Sequence, residues 1–205
     1  MSRSRVDGQP AYVLHSYPFR ETSLIVEVFS RDHGRVALLA RGARRPRSVL
    51  RGLLLAFQPL ELGWAGKGEV PTLMKAEWQG GQPLLTGKAL FYAYYLNELL
   101  MHLLAREDAH ARLFSVYAQT LRRFAEDLRE ADLRAFERAL LQELGYGLTL
   151  DTDTRGQAID PAGHYAYDVD SGPTPLARPG RSAVAVSGKT LVDLARDDFS
   201  DPRSL

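Results

Sequence analysis

Over the first 80 residues the apolar positions come in short runs rich in β-branched and aromatic side chains, separated by turn residues, the pattern of strands. Ala11–Tyr17 and Thr22–Ser30 are the first two, Arg31-Asp-His-Gly is a turn, and Arg35–Gly42 is the third. A fourth is expected over Leu53–Trp64 and a fifth over Glu69–Trp78, with Pro71 tolerable only at an edge or a strand start. Five short antiparallel strands in about 80 residues suit a small closed barrel, for which the OB-fold is the commonest solution.

The period changes after Pro83. From Thr86 to about Gly145 there is no proline and the apolar spacing is helical. In the first helix Leu90, Tyr94, Asn97 and Met101 share one stripe, with Phe91, Tyr95, Leu99 and Leu103 beside it. A second helix over Ala109–Arg129 aligns Leu113, Tyr117, Leu121 and Phe124. A third, with Asp132 as its N-cap, buries Leu133, Phe136, Leu140 and Leu144 and ends at Gly145 or Gly147. From Leu148 to Arg181 Gly, Pro and Asp replace periodicity, predicting loops with one or two short strands, and Ser187 caps a last helix from Gly188 to about Arg196. The expected fold class is therefore α+β: a five-stranded OB-fold barrel (residues 1–82), a helical domain (83–147), and a small irregular third module ending in a short helix that packs on the helical domain (148–205).

Composition changes this picture little. The chain has 205 residues, 45% hydrophobic and 25% charged, with no apolar run long enough to span a membrane. Its polar N-terminus does not read as a secretion signal. Without cysteine there is no disulfide framework and no thiolate zinc site, and a reducing cytoplasmic setting fits best. Charge adds more. The net +1 hides an asymmetry, because residues 1–80 carry 12 Lys+Arg against 7 Asp+Glu, while residues 81–150 and 151–205 are net −1 and −3. A basic excess in one third of the chain points to an anionic partner there.

That excess is densest between Arg35 and Arg51, where Arg35, Arg41, Arg44, Arg45, Arg47 and Arg51 occur without one acidic residue. The guanidinium fork donates paired hydrogen bonds to phosphate and stays charged, and a loop this basic repels itself until an anion relieves it. A solvated loop and an acidic protein partner are the competing readings. Tyr17, Phe19, Phe57 and Trp64 are the aromatic rings on which bases would stack beside such a loop, although core packing is the commoner role for each. In the third helix Arg134 and Arg138 lie one turn apart near Leu141, with Arg122 upstream, an arrangement suited to an acidic peptide ending in an aromatic residue. On the residues alone, pairing of both arginines with Glu130, Asp132 or Glu137 is the favoured reading.

Patterns that resemble catalysis fail on inspection. Asp151-Thr-Asp-Thr-Arg-Gly begins like a calcium loop but has Arg155 at position 5 and Ala162 at position 12. Ser187-Gly-Lys-Thr resembles the end of a P-loop, but Ala183 occupies the upstream glycine position. His15, His33, His102, His110 and His164 show no metal-ligand spacing. No enzymatic activity, metal or cofactor is expected. The enzyme rival is a metal-dependent phosphodiesterase using Asp151 and Asp153, and the rival among binding proteins is an RNA-binding or translation-related OB module.

Taken together, several segments resemble the RecO family of bacterial recombination mediators. They are Ala11–Ser30, Gly34–Arg44, Leu60 through Val70 with Thr72-Leu, Tyr95–Leu100, and Leu133-Arg-Ala-Phe-Glu-Arg-Ala-Leu-Leu-Gln-Glu-Leu-Gly-Tyr-Gly. The likeness covers about residues 10–150, and more loosely 151–200. It implies an OB-fold, binding of single- and double-stranded DNA, and strand annealing. It also implies partnership with RecR and with the Phe-terminated tail of single-stranded-DNA-binding protein, helping to load RecA, in a cytoplasmic, nucleoid-associated setting. The Leu133–Glu137 segment matches the family's tail-binding helix, which moves Arg134 from ordinary surface residue to favoured anchor. The four-cysteine zinc module of many relatives is replaced here by cysteine-free sequence, as in the zinc-free branch, and the chain ends earlier than relatives that continue with a further helical segment.

Overall fold

In a computed structural model of the chain, which describes residues 5–176, 185–201 and 203–204, two compact units are present, Met1–Arg129 and Glu130–Leu205. The first holds strands β1 (Arg5–Phe19), β2 (Ser23–Ser30), β3 (Gly34–Ala40), β4 (Leu60–Ala65) and β5 (Thr72–Trp78), with helices α1 (Leu50–Leu53), α2 (Gly87–Leu103) and α3 (Ala111–Glu126). The second holds α4 (Glu130–Glu143), β6 (His164–Asp168), β7 (Gly172–Pro175), β8 (Ala185–Ser187) and α5 (Gly188–Ala195). The first two long helices thus group with the barrel, and the third groups with the C-terminal module.

The strands close a barrel in the order β1-β2-β3-β5-β4. Inward positions alternate along each strand, as the pleat requires, and fill the barrel with Val13, Val26, Val28, Val36, Leu38, Leu60, Leu62 and Trp64. Closure differs from the all-antiparallel expectation. The seam between β3 and β5 is parallel and rests on the single pairing of Leu39 with Thr72, flanked by the Leu39 amide donating to the Pro71 carbonyl at 2.8 Å. Of residues 53–59, expected to begin the fourth strand, Leu53 instead ends α1 and the rest form a turn in which Phe57 takes φ 66°, so β4 starts only at Leu60. Pro71 precedes β5, where its missing N–H removes nothing from the ladder.

Helices α2 and α3 cover half of the outer face of β1–β3. Tyr12 and Phe29 point outward and meet Phe114 and Tyr117 of α3 at ring distances of 5.2–6.1 Å. The buried Asn97 of α2 donates to the Leu14 carbonyl at the β1 bulge (2.9 Å) and accepts from the Tyr117 hydroxyl (2.6 Å), so one amide ties strand to both helices. Burial pushes the Tyr117 phenol well above its usual range, which keeps it a donor. The α2–α3 connection docks on the β2–β3 hairpin: buried Glu27 pairs with Arg106, and the Arg35 carbonyl accepts from the Glu107 amide at 3.0 Å.

The face that α2 buries is Ala89, Ala93, Leu96, Asn97 and Leu100, not the stripe of Leu90, Tyr94 and Met101. Small alanines allow the helix to sit close to the strands, leaving Phe91, Tyr94 and Tyr95 exposed. In α3 and α4 the expected core residues Leu113, Tyr117, Leu121, Phe124, Leu133, Phe136 and Leu140 are buried, while Leu144 is half-buried. Helix α4 starts at Glu130, so Asp132 lies in its first turn, where a carboxylate favours the positive end of the helix dipole. After Glu143 the Gly145 amide donates to Gln142 and the Tyr146 amide to Leu141, closing the helix end. In the C-terminal sheet, of order β7-β6-β8, Leu150, Ile159, Tyr165 and Leu191 form a small core of their own. Ser187 caps α5 by accepting from the Thr190 amide at 3.1 Å, as expected of the residue before that helix.

Gly34 carries a constraint that only glycine meets. Its φ is +63°, and a Cβ there would stand 1.7 Å from the Asp108 carbonyl oxygen. Gly8 has a similar φ of +65° with open space around it. Gly8→Ala is expected to cost about 1 kcal/mol, the left-handed strain alone, whereas Gly34→Ala is expected to cost at least about 3 kcal/mol because the α2–α3 connection must also move. Urea unfolding of the two variants measures the difference, and equal losses would show that the close approach to Asp108 is not a constraint.

Candidate nucleic-acid interface

The uncovered half of the outer β1–β3 face carries the arginine loop. Three connections converge at this end of the barrel: the β1–β2 turn, the loop after β3, and the β4–β5 loop. The Arg44 amide donates to the Thr22 carbonyl at 2.8 Å and its guanidinium to the Arg20 carbonyl at 3.3 Å, fastening the loop to the turn. Within the loop the Arg45 amide donates to Gly42 and the Ser48 amide to Arg45, giving tight turns that hold Arg44, Arg45 and Arg47 outward. Buried Ala43 roots the segment in the barrel core.

A groove of about 530 Å³ lies along this junction, lined by Phe19, Arg20, Thr22, Leu39, Arg41 and Arg45 among others. A neighbouring groove of about 520 Å³ shares Arg41 and runs on to Gly66, Lys67, Thr72 and Met74. Arg41 is the link between them, directly over the β3–β5 seam. Several surface cations elsewhere pair with carboxylates: Arg5 with Asp7, Arg31 with Asp32, Lys75 with Glu77, and Lys189 with Asp193. Among the described residues no carboxylate pairs with Arg20, Arg41, Arg44, Arg45, Arg47 or Lys67. Exposed acids nearby are few, Glu21 in the turn and Glu69 in the β4–β5 loop. Such a row of unpaired guanidinium groups around open grooves has the donors and the charge that a phosphate would require.

The sequence-chosen residues fall into three places. Arg41, Arg44, Arg45 and Arg47 come together at the groove, and Arg51 is exposed on α1. Arg35 does not join them. It begins β3 whereas Arg41 follows its end, about 20 Å away along the strand, and its guanidinium donates to the Met101 carbonyl of α2. Arg20 and Lys67 belong to the groove but stood in no arginine run. Only the barrel topology brings the β1–β2 and β4–β5 loops beside the arginines. Of the four aromatic residues, Trp64 and Phe57 are core, Trp64 inside the barrel against His33 and Phe57 against Tyr94, while Phe19 lines the groove and Tyr17 is 43% exposed.

The chain is matched by the Recombination protein O N-terminal family model over residues 5–81 and by the Recombination protein O C-terminal model over residues 84–195. It belongs to the RecO family. It is 68% identical to a DNA repair protein RecO of Dechloromonas aromatica, over 98% of this chain and 85% of that protein. It is 55% identical to one of Aromatoleum aromaticum (99% and 85%) and 52% identical to one of Ralstonia nicotianae (97% and 74%). The OB-fold and the α+β class of the RecO family are those of this barrel and its helices.

The second region of interest in this RecO chain is α4. Arg134 donates to Glu137 at 2.9 Å and to Glu130 at 2.7 Å, the intrahelical pairing favoured on the residues alone, and these bonds hold its guanidinium more firmly protonated than usual. Arg138 donates to Asp197 beyond α5 at 2.7 Å, Leu141 is half-buried, and Arg122 lies exposed on α3 in the other unit. The carboxylate of Asp153 accepts from the backbone amides of Arg155 and Gln157 at 2.8 and 2.9 Å, so the loop that resembled a calcium site is an aspartate-closed turn. Among the described residues no three His, Asp or Glu side chains converge as metal ligands, and no helix is long and apolar enough to cross a membrane. Ala183, the position that broke the P-loop pattern, lies outside the described residues.

Two arginines of one sequence run, Arg35 on β3 and Arg45 in the loop after it, therefore have separable roles. Arg35→Ala is expected to lower stability by about 1–2 kcal/mol through loss of a charged hydrogen bond, while Arg45→Ala stays within about 0.5 kcal/mol of the parent. Chemical denaturation tests both, and a destabilising Arg45→Ala would assign that side chain to the scaffold.

Proposed function

We propose that the chain is a non-enzymatic recombination mediator that binds single- and double-stranded DNA through the arginine groove of the barrel. The observation that carries this reading is the set of cations left without carboxylates where three loops meet around open grooves, while cations such as Arg5 and Lys75 elsewhere are paired. Phosphate contacts fix position without reading sequence, so one groove serves both strand forms and can hold complementary strands for annealing. The relatives are named DNA repair proteins, which favours DNA over RNA as the ligand.

In the same reading α4 takes the Phe-terminated acidic tail of single-stranded-DNA-binding protein. Arg134 then exchanges Glu130 or Glu137 for the tail carboxylate, with Arg138 and Leu141 as further contacts. Binding the tail and the strand brings the mediator to coated DNA, where, together with RecR, it helps RecA to load. A role for Asp151 and Asp153 in hydrolysis is disfavoured because the Asp153 carboxylate already serves two amides.

Replacing Arg44, Arg45 and Arg47 together with alanine is expected to weaken binding to all sequences alike and to flatten the salt dependence on single strands by roughly 0.7 per lost contact. An unchanged slope in anisotropy titrations would remove the loop from the interface. Arg134→Ala is expected to weaken binding of the tail peptide by about 1.5–3 kcal/mol and leave naked-DNA binding intact. Retained peptide binding would place the anchor elsewhere, with Arg138 or Arg122 next to test.

A further inference from the structure

Beyond the bulge at Leu14, strand β1 carries an aromatic face that the phosphate groove does not use. Ser16 and Pro18 pair across with Val26 and Leu24 on the core side, so His15, Tyr17 and Phe19 point outward. These three stand one above another at the period of two that a strand imposes. Phe19 lines the arginine groove, Tyr17 follows it, and the Tyr17 and His15 rings lie 4.4 Å apart at 57°.

The stripe does not stop at the strand. His15 and Tyr17 form one wall of an open pocket of about 260 Å³, and Tyr94, Glu98, Met101 and His102 of α2 form the other. Tyr94 remains 53% exposed although its ring edge rests on Phe57, and Phe91, one turn earlier, is 76% exposed. The helix turns these rings outward because its alanine face is the one packed on the barrel. A row of flat, half-exposed rings thus begins where the unpaired arginines end.

We infer that single-stranded DNA held at the arginine groove continues across Phe19 and Tyr17 and places an unpaired base in the pocket between β1 and α2. This rests on the groove being the DNA site, and extends it from a phosphate grip to a stacking track. The chemistry is that of unpaired bases. Each exposes a π-face that stacks on an aromatic side chain regardless of sequence, while Glu98 accepts from an exocyclic amine and the imidazoles of His15 and His102 offer ring edges to base carbonyls. A duplex hides its base faces and gains nothing from the track. The two strand forms are therefore held differently: both by the arginines, only the single strand by the rings.

The test compares wild type with Tyr17→Leu, Tyr94→Leu, the double variant, and the triple arginine-loop variant. Each is titrated with a fluorescein-labelled oligothymidylate and with a duplex, and its melting temperature is checked. Leucine at position 94 keeps an apolar contact to Phe57, and exposed Tyr17 gives a second variant if the first is destabilised. The double variant is expected to bind the single strand at least about fivefold more weakly, the lower end for one lost base–ring stack, with duplex affinity and salt slope unchanged. Oligonucleotides carrying 5-iodouracil are expected to photocrosslink to Tyr17 or Tyr94. Unchanged single-strand affinity, or equal loss on both ligands in a folded variant, overturns the track, as do adducts confined to residues 41–49. If the arginine-loop variant binds both ligands normally while the tyrosine variants lose only the single strand, the groove reading fails and the rings are the site.

Discussion

The docking of the α2–α3 connection on the β2–β3 hairpin governs what the barrel can offer. Gly34 lets the Asp108 backbone approach to a distance no side chain would permit, and Glu27 with Arg106 and Arg35 with Met101 close the contact on either side. Because the connection is fixed there, α2 and α3 lie over Tyr12, Phe29 and Leu14. A sheet of this kind has two ends to its outer face. Helix packing consumes one, and the other stays open to carry the loops that bind.

The electrostatics follow the same division. Cations that belong to the scaffold have partners, and Arg35 donates to the Met101 carbonyl in the last turn of α2. Cations at the open end have none among the described carboxylates. Mutual repulsion among them is tolerated because the loop is tied by its backbone, through Thr22, Arg20 and the buried Ala43, so that its rigidity does not depend on its side chains. Such a loop waits for an anion without having to fold around it.

Much of this was legible in the residues. Period-two runs located β1, β2 and β3, the helical spacing located α3 and the core of α4, and the density of arginine located the loop, because each signal is local. What failed was not local. Residues 53–59 have a strand-like composition, but the chain needs them to cross from α1 to β4. The aromatic stripe of α2 looks like a buried face until packing selects the alanines instead, a choice made by the distance to β1 and invisible in a sequence apolar on both faces. Arg35 was grouped with its neighbours in sequence although the strand carries it to the other end, and Arg20 and Lys67 were overlooked because only barrel closure brings their loops to Arg41. Family likeness suggested a role for Arg134, whose guanidinium already donates to Glu130 and Glu137.

The single pairing of Leu39 with Thr72 has a last consequence. Every other junction in the barrel is a ladder of several residues, so this parallel seam is where local opening is cheapest and where backbone amides exchange soonest. Arg41 and Lys67 line the groove that includes Thr72 of this seam. A polyanion that grips both residues is a stitch across the seam, and part of its binding free energy goes into holding the barrel shut. Under the proposed reading, occupancy and breathing would be two faces of one equilibrium, and a strand held there would also clasp the barrel.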